Sequence, residues 1–173
     1  MTKPLETSTL TYTQETRPSR RKPEHTDNAA AAGDTIKLEN QLCFALYAAS
    51  RAMTNAYRPI LSGLDLTYPQ YLVMVALWEE DDVTVSSLGA RLYLDFGTLT
   101  PLLRRLENRG LVVRKRDRED ERHVKITLTR QGRALRKSAA DVPRLLRCRI
   151  ALSRQQTRSL RQDLKLLLEA LPA

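Results

Sequence analysis

At Gly110 the spacing of apolar residues changes, and this change limits the folds open to the chain more than any other feature. From Ile36 to Leu106 apolar side chains return every three or four residues, the period of an α-helix. After Gly110 come two short β-branched runs, LVVRKR and HVKITLT, separated by the charged hexapeptide DREDER. Helical spacing then resumes to the C-terminus. One short hairpin set among helices excludes a sandwich, a barrel and a repeated βα architecture. The low aromatic content, 5%, and only 14 Gly plus Pro in 173 residues point the same way.

The helical segments can be placed by their start and stop signals. A long helix is expected from Thr35 to about Ser62, with Asp34 or Thr35 as its N-cap, until SGLDLT breaks it. YPQYLVMVALWEE reads as a second helix with Pro69 tolerated in its first turn. TVSSLGARL is a short third, and GTLTPLLRRLENRG a fourth that ends at Gly110, a suitable C′ glycine. Thr129 is expected to cap a long basic helix that Pro143 bends or breaks, with Cys148 where it resumes. QQTRSLRQDLKLLLEAL closes the chain as an amphipathic helix. The fold class expected is mainly α with a small β-wing: a winged helix-turn-helix at 64–129, flanked by dimerisation helices at 35–63 and 130–171. Together these make one domain over 35–173. Residues 1–34, rich in Thr, Ser, Pro and charge, read as a disordered tail. The flanking helices are too few to cover their own apolar faces, so a homodimer is expected.

Charge narrows the partner. The net charge is +9, yet residues 1–34 hold five basic and five acidic side chains, so the excess lies on 35–173. Residues 98–133 carry eleven Lys and Arg against five Asp and Glu, a local surplus that calls for a polyanion. In the fourth helix Leu99, Leu102, Leu103 and Leu106 share one face, leaving Thr98, Thr100, Pro101, Arg104 and Arg105 for the other. Such a face suits the major groove of double-stranded DNA, where Arg pairs with guanine and Thr meets base edges or thymine methyls. On the hairpin, Arg116, Arg118 and Arg122 are candidates for the minor groove and phosphates, with Asp120 orienting Arg122. If Thr98 caps the reading helix, Pro101 sits harmlessly in its first turn; if Asp95 does, Pro101 removes an interior hydrogen bond. Spacing leaves both open.

Several functions are not expected. No window approaches 18 uninterrupted apolar residues, so no membrane span is expected, and the N-terminus lacks a signal peptide's apolar core. Two cysteines 105 residues apart and two histidines make neither a disulfide framework nor a metal site. No cofactor is expected, and a cytoplasmic location is the default.

At LCFALYAASRAMTNAYRPIL, LTYPQYLVMVALWE, LYLDFGTLTPLLRRLE and REDERHVKITLT the sequence resembles the MarR family of dimeric winged-helix regulators, and within it the OhrR branch, repressors that respond to organic hydroperoxides. The resemblance covers about residues 36–170. Where the family has a small residue, this chain has Phe96. The resemblance implies that Cys43 is the peroxide-reactive thiol, that Tyr57 and Tyr68 bond its sulfur with Tyr47 nearby, and that Cys148 of the opposite subunit is the resolving thiol. Geometry adds one constraint. Cys43 and Tyr57 are 14 residues apart on one expected helix, roughly 21 Å at about 1.5 Å per residue, so any contact between them crosses a dimer interface. The reactive species is a thiolate, which phenolic O–H donors stabilise. Its attack on a peroxide gives a sulfenic acid that a second thiol converts to a disulfide. An inert Cys43 in a repressor governed by a small phenolic or lipophilic ligand is the principal alternative. A thiol peroxidase would leave the basic hairpin without a use, and the chain is expected not to be an enzyme.

Overall fold

The computed structural model describes residues 36–116 and 124–171. The arginines and acids of the wing tip, Arg118, Asp120 and Arg122, and the expected cap residues Asp34 and Thr35, lie outside the described residues. Residues 36–41 form a unit of their own, carrying a single 3-10 turn at Leu38–Asn40. The second unit contains α1 (Leu42–Leu61), α2 (Tyr68–Glu79), β1 (Val83–Thr84), α3 (Val85–Leu92), α4 (Phe96–Asn108), β2 (Val112–Arg116), β3 (Val124–Leu128), α5 (Arg130–Ala139), α6 (Val142–Arg147) and α7 (Arg154–Ala170).

The first helix therefore starts at Leu42, not at Thr35. The backbone at Lys37 and Gln41 is extended on either side of the 3-10 turn, which prevents the helical spacing of Ile36 from joining that of Leu42 onward. The α1–α2 connection follows SGLDLT: a 3-10 turn at Ser62–Leu64, then Asp65 in the left-handed region at φ 51°. Thr67 opens α2, with its backbone N–H donating to Gln70 Oε1 at 2.9 Å. That bond accounts for the only buried polar residue of the described core, Gln70.

α2 is the central post. Tyr71, Val73, Met74, Ala76 and Leu77 are all buried, on more than one side of the helix. Leu88 from α3, Leu99, Leu103 and Leu106 from α4, and Val112, Ile126 and Leu128 from the sheet close around it. Six side chains among these are fully enclosed with no measurable exposure: Val73, Met74, Leu103, Leu106, Val112 and Ile126.

The sheet has three strands, where the sequence suggested two. β2 pairs antiparallel with β3, Val112 opposite Leu128 through Arg116 opposite Val124. On the other edge β3 pairs with Val83–Thr84, with Val83 opposite Ile126. Asp81 fixes that corner: its carboxylate accepts the Leu128 N–H at 2.8 Å and pairs with Arg133 at 2.5 Å.

Two glycines have steric roles. Gly110 ends α4 at φ 67°, the left-handed turn that leads into β2. A Cβ at Gly132 would lie 2.0 Å from the Leu111 carbonyl oxygen, so α5 passes the residue before β2 at a distance only glycine allows. The same spot is tied by Thr129, whose hydroxyl accepts the Gly132 N–H at 3.0 Å and donates to the Gly110 carbonyl at 2.6 Å, and by the Trp78 indole N–H on the Gly132 carbonyl at 2.9 Å.

Pro143 does break the basic helix. α5 stops at Ala139 and α6 starts at Val142 with the proline in its first turn. Cys148 is the residue that ends α6, not a point where a helix resumes. α7 buries none of its residues. It leaves Leu160, Leu164, Leu166 and Leu168 exposed, and α1 likewise exposes Leu42, Phe44, Tyr47 and Met53.

Candidate nucleic-acid interface and redox site

The helix expected to read DNA corresponds to α4. Asp95 is its N-cap: Oδ1 accepts the Thr98 N–H at 2.7 Å and Oδ2 accepts the Thr98 hydroxyl at 3.1 Å. These bonds, the backbone one foremost, hold the Asp95 carboxyl below the usual carboxylate range. The open question about Pro101 is thereby answered. It lies inside the helix, and the Gly97 carbonyl has no i+4 N–H to accept. Leu99, Leu103 and Leu106 are buried, whereas Thr98, Pro101, Arg104 and Arg105 are exposed. Thr100 differs from the expectation: the residue is half-buried and its hydroxyl is fully buried without a hydrogen-bond partner. At about 100° per residue around the helix, the position before Pro101 turns away from the exposed face toward the packed side. Phe96 is the first residue of α4 and remains 67% exposed. Arg116 closes β2 as an exposed residue, so the described part of the wing carries its basic edge away from the core.

α4 is not free of the rest of the molecule. Arg109, just past its end, donates to the backbone carbonyls of Asp65 and of Leu64, the latter at 3.2 Å, and pairs with the Asp65 carboxylate at 3.2 Å. Sequence reading missed this residue, because nothing in its spacing distinguishes it from the basic surplus around it.

The redox candidates divide into two groups. Tyr57 on α1 and Tyr68 on α2 stack with ring centroids 4.5 Å apart, and Tyr71 lies 5.9 Å from Tyr57. Burial, with the neighbouring phenols Tyr68 and Tyr71, pushes Tyr57 up to about 12, and burial also raises Tyr68. Both are therefore fully protonated O–H donors at neutral pH. Tyr57, Tyr68 and Cys148 line one cavity of about 850 Å³. The second group is Cys43 and Tyr47, one turn apart near the start of α1. Both are exposed, and Tyr47 lies under the Arg51 guanidinium at 5.5 Å. α1 runs unbroken from Leu42 to Leu61, so about 21 Å of helix separates Cys43 from Tyr57 in one chain. One protomer thus joins the tyrosine pair to Cys148 and leaves Cys43 outside.

Sequence reading also missed the arginines of this cavity. Arg144, Arg147, Arg154, Arg158 and Arg161 line it. The signal was there in α7, where positions 154, 158 and 161 are an i, i+4, i+7 set. A second cavity, about 560 Å³, lies between the α1–α2 turn and the end of α4; Arg58, Tyr68, Arg105 and Arg109 are among its walls. Among the described residues no group of His, Cys, Asp and Glu could hold a metal ion, and no single helix is long and apolar enough to cross a membrane.

Comparison with known proteins bears on the fold and the family. The family model described as transcriptional regulator SarA/Rot matches residues 55–138. The organic hydroperoxide resistance transcriptional regulator of Bacillus subtilis is 52% identical over 129 residues, 75% of this chain and 86% of that protein. Reduced AbfR bound to DNA, a protein of Staphylococcus epidermidis, superimposes with a TM-score of 0.66 at 37% identity over 78% of this chain and 94% of its own. The disulfide-formed AbfR superimposes less closely, with a TM-score of 0.56 at 39% identity over 76% of this chain and 92% of its own. With its winged-helix core and this likeness over most of its length, the chain belongs to the MarR family of transcriptional regulators, in the branch of the organic hydroperoxide resistance regulators.

Proposed function

We propose that the protein is a cytoplasmic, homodimeric repressor, and not an enzyme, that holds double-stranded operator DNA while Cys43 is reduced and releases it when an organic hydroperoxide oxidises that thiol. The observation that carries this reading is the division of the redox residues. Tyr57, Tyr68 and Cys148 of one protomer share a cavity that has no reactive thiol of its own beyond Cys148, and Cys43 is exposed about 21 Å up the same helix. A twofold partner that inserts its Cys43 into that cavity completes the site. The exposed leucines of α7 and the exposed Leu42, Phe44 and Met53 of α1 supply the apolar surface for such a dimer.

In the completed site the two phenols donate to the Cys43 thiolate. The sulfur attacks the outer peroxide oxygen, the O–O bond breaks, and the remaining alkoxide takes a proton and leaves as an alcohol. The sulfenic acid left on Cys43 condenses with the Cys148 thiol of the other subunit, forming the S–S bond and releasing water. A disulfide needs sulfurs about 2.05 Å apart and Cα atoms within about 7 Å. Closing it draws the end of α6 toward the partner's α1. The disulfide-formed state of AbfR supports this sequence of events.

On the DNA side, Thr98, Pro101, Arg104 and Arg105 of α4 face the major groove, with Thr100 supporting the helix from its buried side and Arg116 leading the wing toward the adjacent backbone. Arg118, Arg122 and Asp120 extend that wing outside the described residues. The DNA-bound form of reduced AbfR supports this orientation. Occupancy falls a hundredfold if oxidation weakens binding by about 2.7 kcal/mol.

The test uses mixed dimers. Pairing a Cys43→Ser subunit with a Tyr57→Phe subunit leaves one complete site if the contact crosses the interface, and none if it does not. Pairing a native subunit with a subunit carrying both substitutions reverses the outcome. Peroxide-triggered oxidation of Cys43 at the native rate in the first mixture, and slowed roughly tenfold to a hundredfold in the second, is the expected result.

A second reading has one observation in its favour. The cavity of about 560 Å³ beside Arg58 and Arg105 could hold a phenolic or lipophilic effector, and Cys43 would then be inert. A Cys43→Ser dimer that still leaves DNA on peroxide treatment would select this reading.

A further inference from the structure

Among the described residues, large hydrophobic side chains stand exposed at 36–53 and at 145–171, stretches that hold the two helices given above to the dimer. Between those stretches only two are exposed, Tyr93 at 79% and Phe96 at 67%. Nothing in the proposed dimer surface accounts for these two rings. Tyr93 ends α3 in the left-handed region at φ 54°, whereas Phe96 is the first residue of α4 and travels with that helix.

The start of α4 has little else with which to meet DNA. Between Phe96 and Leu103 the exposed residues are Phe96, Gly97, Thr98 and Pro101. Their only side-chain donor, the Thr98 hydroxyl, already bonds Asp95 Oδ2 at 3.1 Å. The first cations of the helix are Arg104 and Arg105, about 12 Å or more along the axis from Phe96 at about 1.5 Å per residue. At the Phe96 end stands the exposed Asp95 carboxylate, which its bonds to Thr98 keep ionised at neutral pH. A negative charge there repels phosphate. Free donors and phosphate contacts are therefore both lacking where the helix begins, and an apolar surface is what remains. In the major groove the apolar group that a base edge presents is the C5-methyl of thymine.

We infer that the Phe96 ring packs against a thymine methyl where α4 enters the major groove, and so selects thymine at one position of each half-site. This rests on the reading of α4 as the helix that meets DNA, and deepens it by dividing the helix in two. The first turn reads by apolar contact, and the later turns read through the guanidinium groups of Arg104 and Arg105.

The experiment takes the full-length reduced dimer and selects its preferred duplex from a randomised pool. Each thymine of that duplex is then replaced by uracil, symmetrically in both half-sites. Uracil pairs as thymine does and lacks only the methyl group. At one position the exchange should weaken binding roughly fifteenfold, the equivalent of two methyl groups returned to water. In Phe96→Ala the exchange at that position should change affinity by less than about twofold, with exchanges elsewhere keeping their native effect. Binding of the variant to a duplex of unrelated sequence, carried by phosphate contacts, should be unchanged and reports an intact fold. A preferred duplex with no thymine to exchange, or a native dimer indifferent to uracil at every position, would overturn the inference and leave the ring to a protein partner. A sensitivity that persists in Phe96→Ala would overturn it too, by giving the methyl to another residue. The reading of α4 is tested separately by Arg104→Ala: a variant that selects the native sequence unchanged at every position overturns that reading, and the inference with it.

Discussion

Replacing Tyr57 with Phe removes one oxygen and little else. The ring keeps its stack on Tyr68 at 4.5 Å and its contact with Tyr71 at 5.9 Å, so the core should be retained. What is lost is a hydroxyl that burial and two neighbouring phenols push up to about 12, a donor that keeps its proton throughout the physiological range. A hydrogen bond to a charged group is worth about 1.5–3 kcal/mol. At neutral pH its loss should therefore slow oxidation of Cys43 by a neutral hydroperoxide roughly tenfold to a hundredfold. The measurement is a quenched-flow time course of thiol consumption, with thermal unfolding and reduced-state DNA affinity recorded alongside. Thiol alkylation measured at rising pH should show the deficit closing once the thiolate no longer needs a donor. An unchanged oxidation rate in a variant that melts and binds DNA as the native protein does would refute the role given to Tyr57.

Three other outcomes are expected. Arg104→Ala should weaken binding to a specific operator by about 1–3 kcal/mol and relax base preference at one position of each half-site, measurable by selection from a randomised duplex pool. Thr129→Ala frees the Gly132 N–H and one bond to the Gly110 carbonyl, and should cost about 1–2 kcal/mol in urea unfolding with DNA specificity unchanged. Because Tyr57 titrates higher in the folded state than in the unfolded chain, its contribution to stability is complete below about pH 10 and is lost as the pH rises through about 12. The melting temperature should fall across that window, and by less in Tyr57→Phe.

The elements legible in the sequence are those that punctuation fixes locally. Thr129 before a basic helical run, Pro69 in a first turn, Gly110 at a helix end and the β-branched runs around DREDER all specify backbone conformation through their own side chains, and each stands where its chemistry placed it. What escaped depends on contacts distant in sequence. Val83 and Thr84 are too few to show a period, and they become a strand only because β3 presents a free edge. The start of α1 was misplaced because Ile36 keeps helical spacing with residues it does not share a helix with. The cap of α4 was ambiguous since Asp95 and Thr98 are equally good caps by composition; the structure bonds one to the other. Thr100 was counted with the exposed face by pattern, and its buried hydroxyl shows how little a one-residue step around a helix leaves to the pattern. For the redox residues, spacing alone settled that Cys43 and Tyr57 of one chain do not meet. It could not reveal that Tyr57, Tyr68 and Cys148 do share a cavity, because that requires the turn at Asp65 and the break before Pro143 to have formed.

Arg109 gives the molecule a strut. Its guanidinium is fastened to Leu64 and Asp65, the two residues at the bend between the helix that carries Tyr57 and the one that begins with Tyr68. One side chain therefore joins the bend between the two tyrosine-bearing helices to the far end of α4. Moving that bend while the end of α4 stays in place would require the arginine to release these bonds.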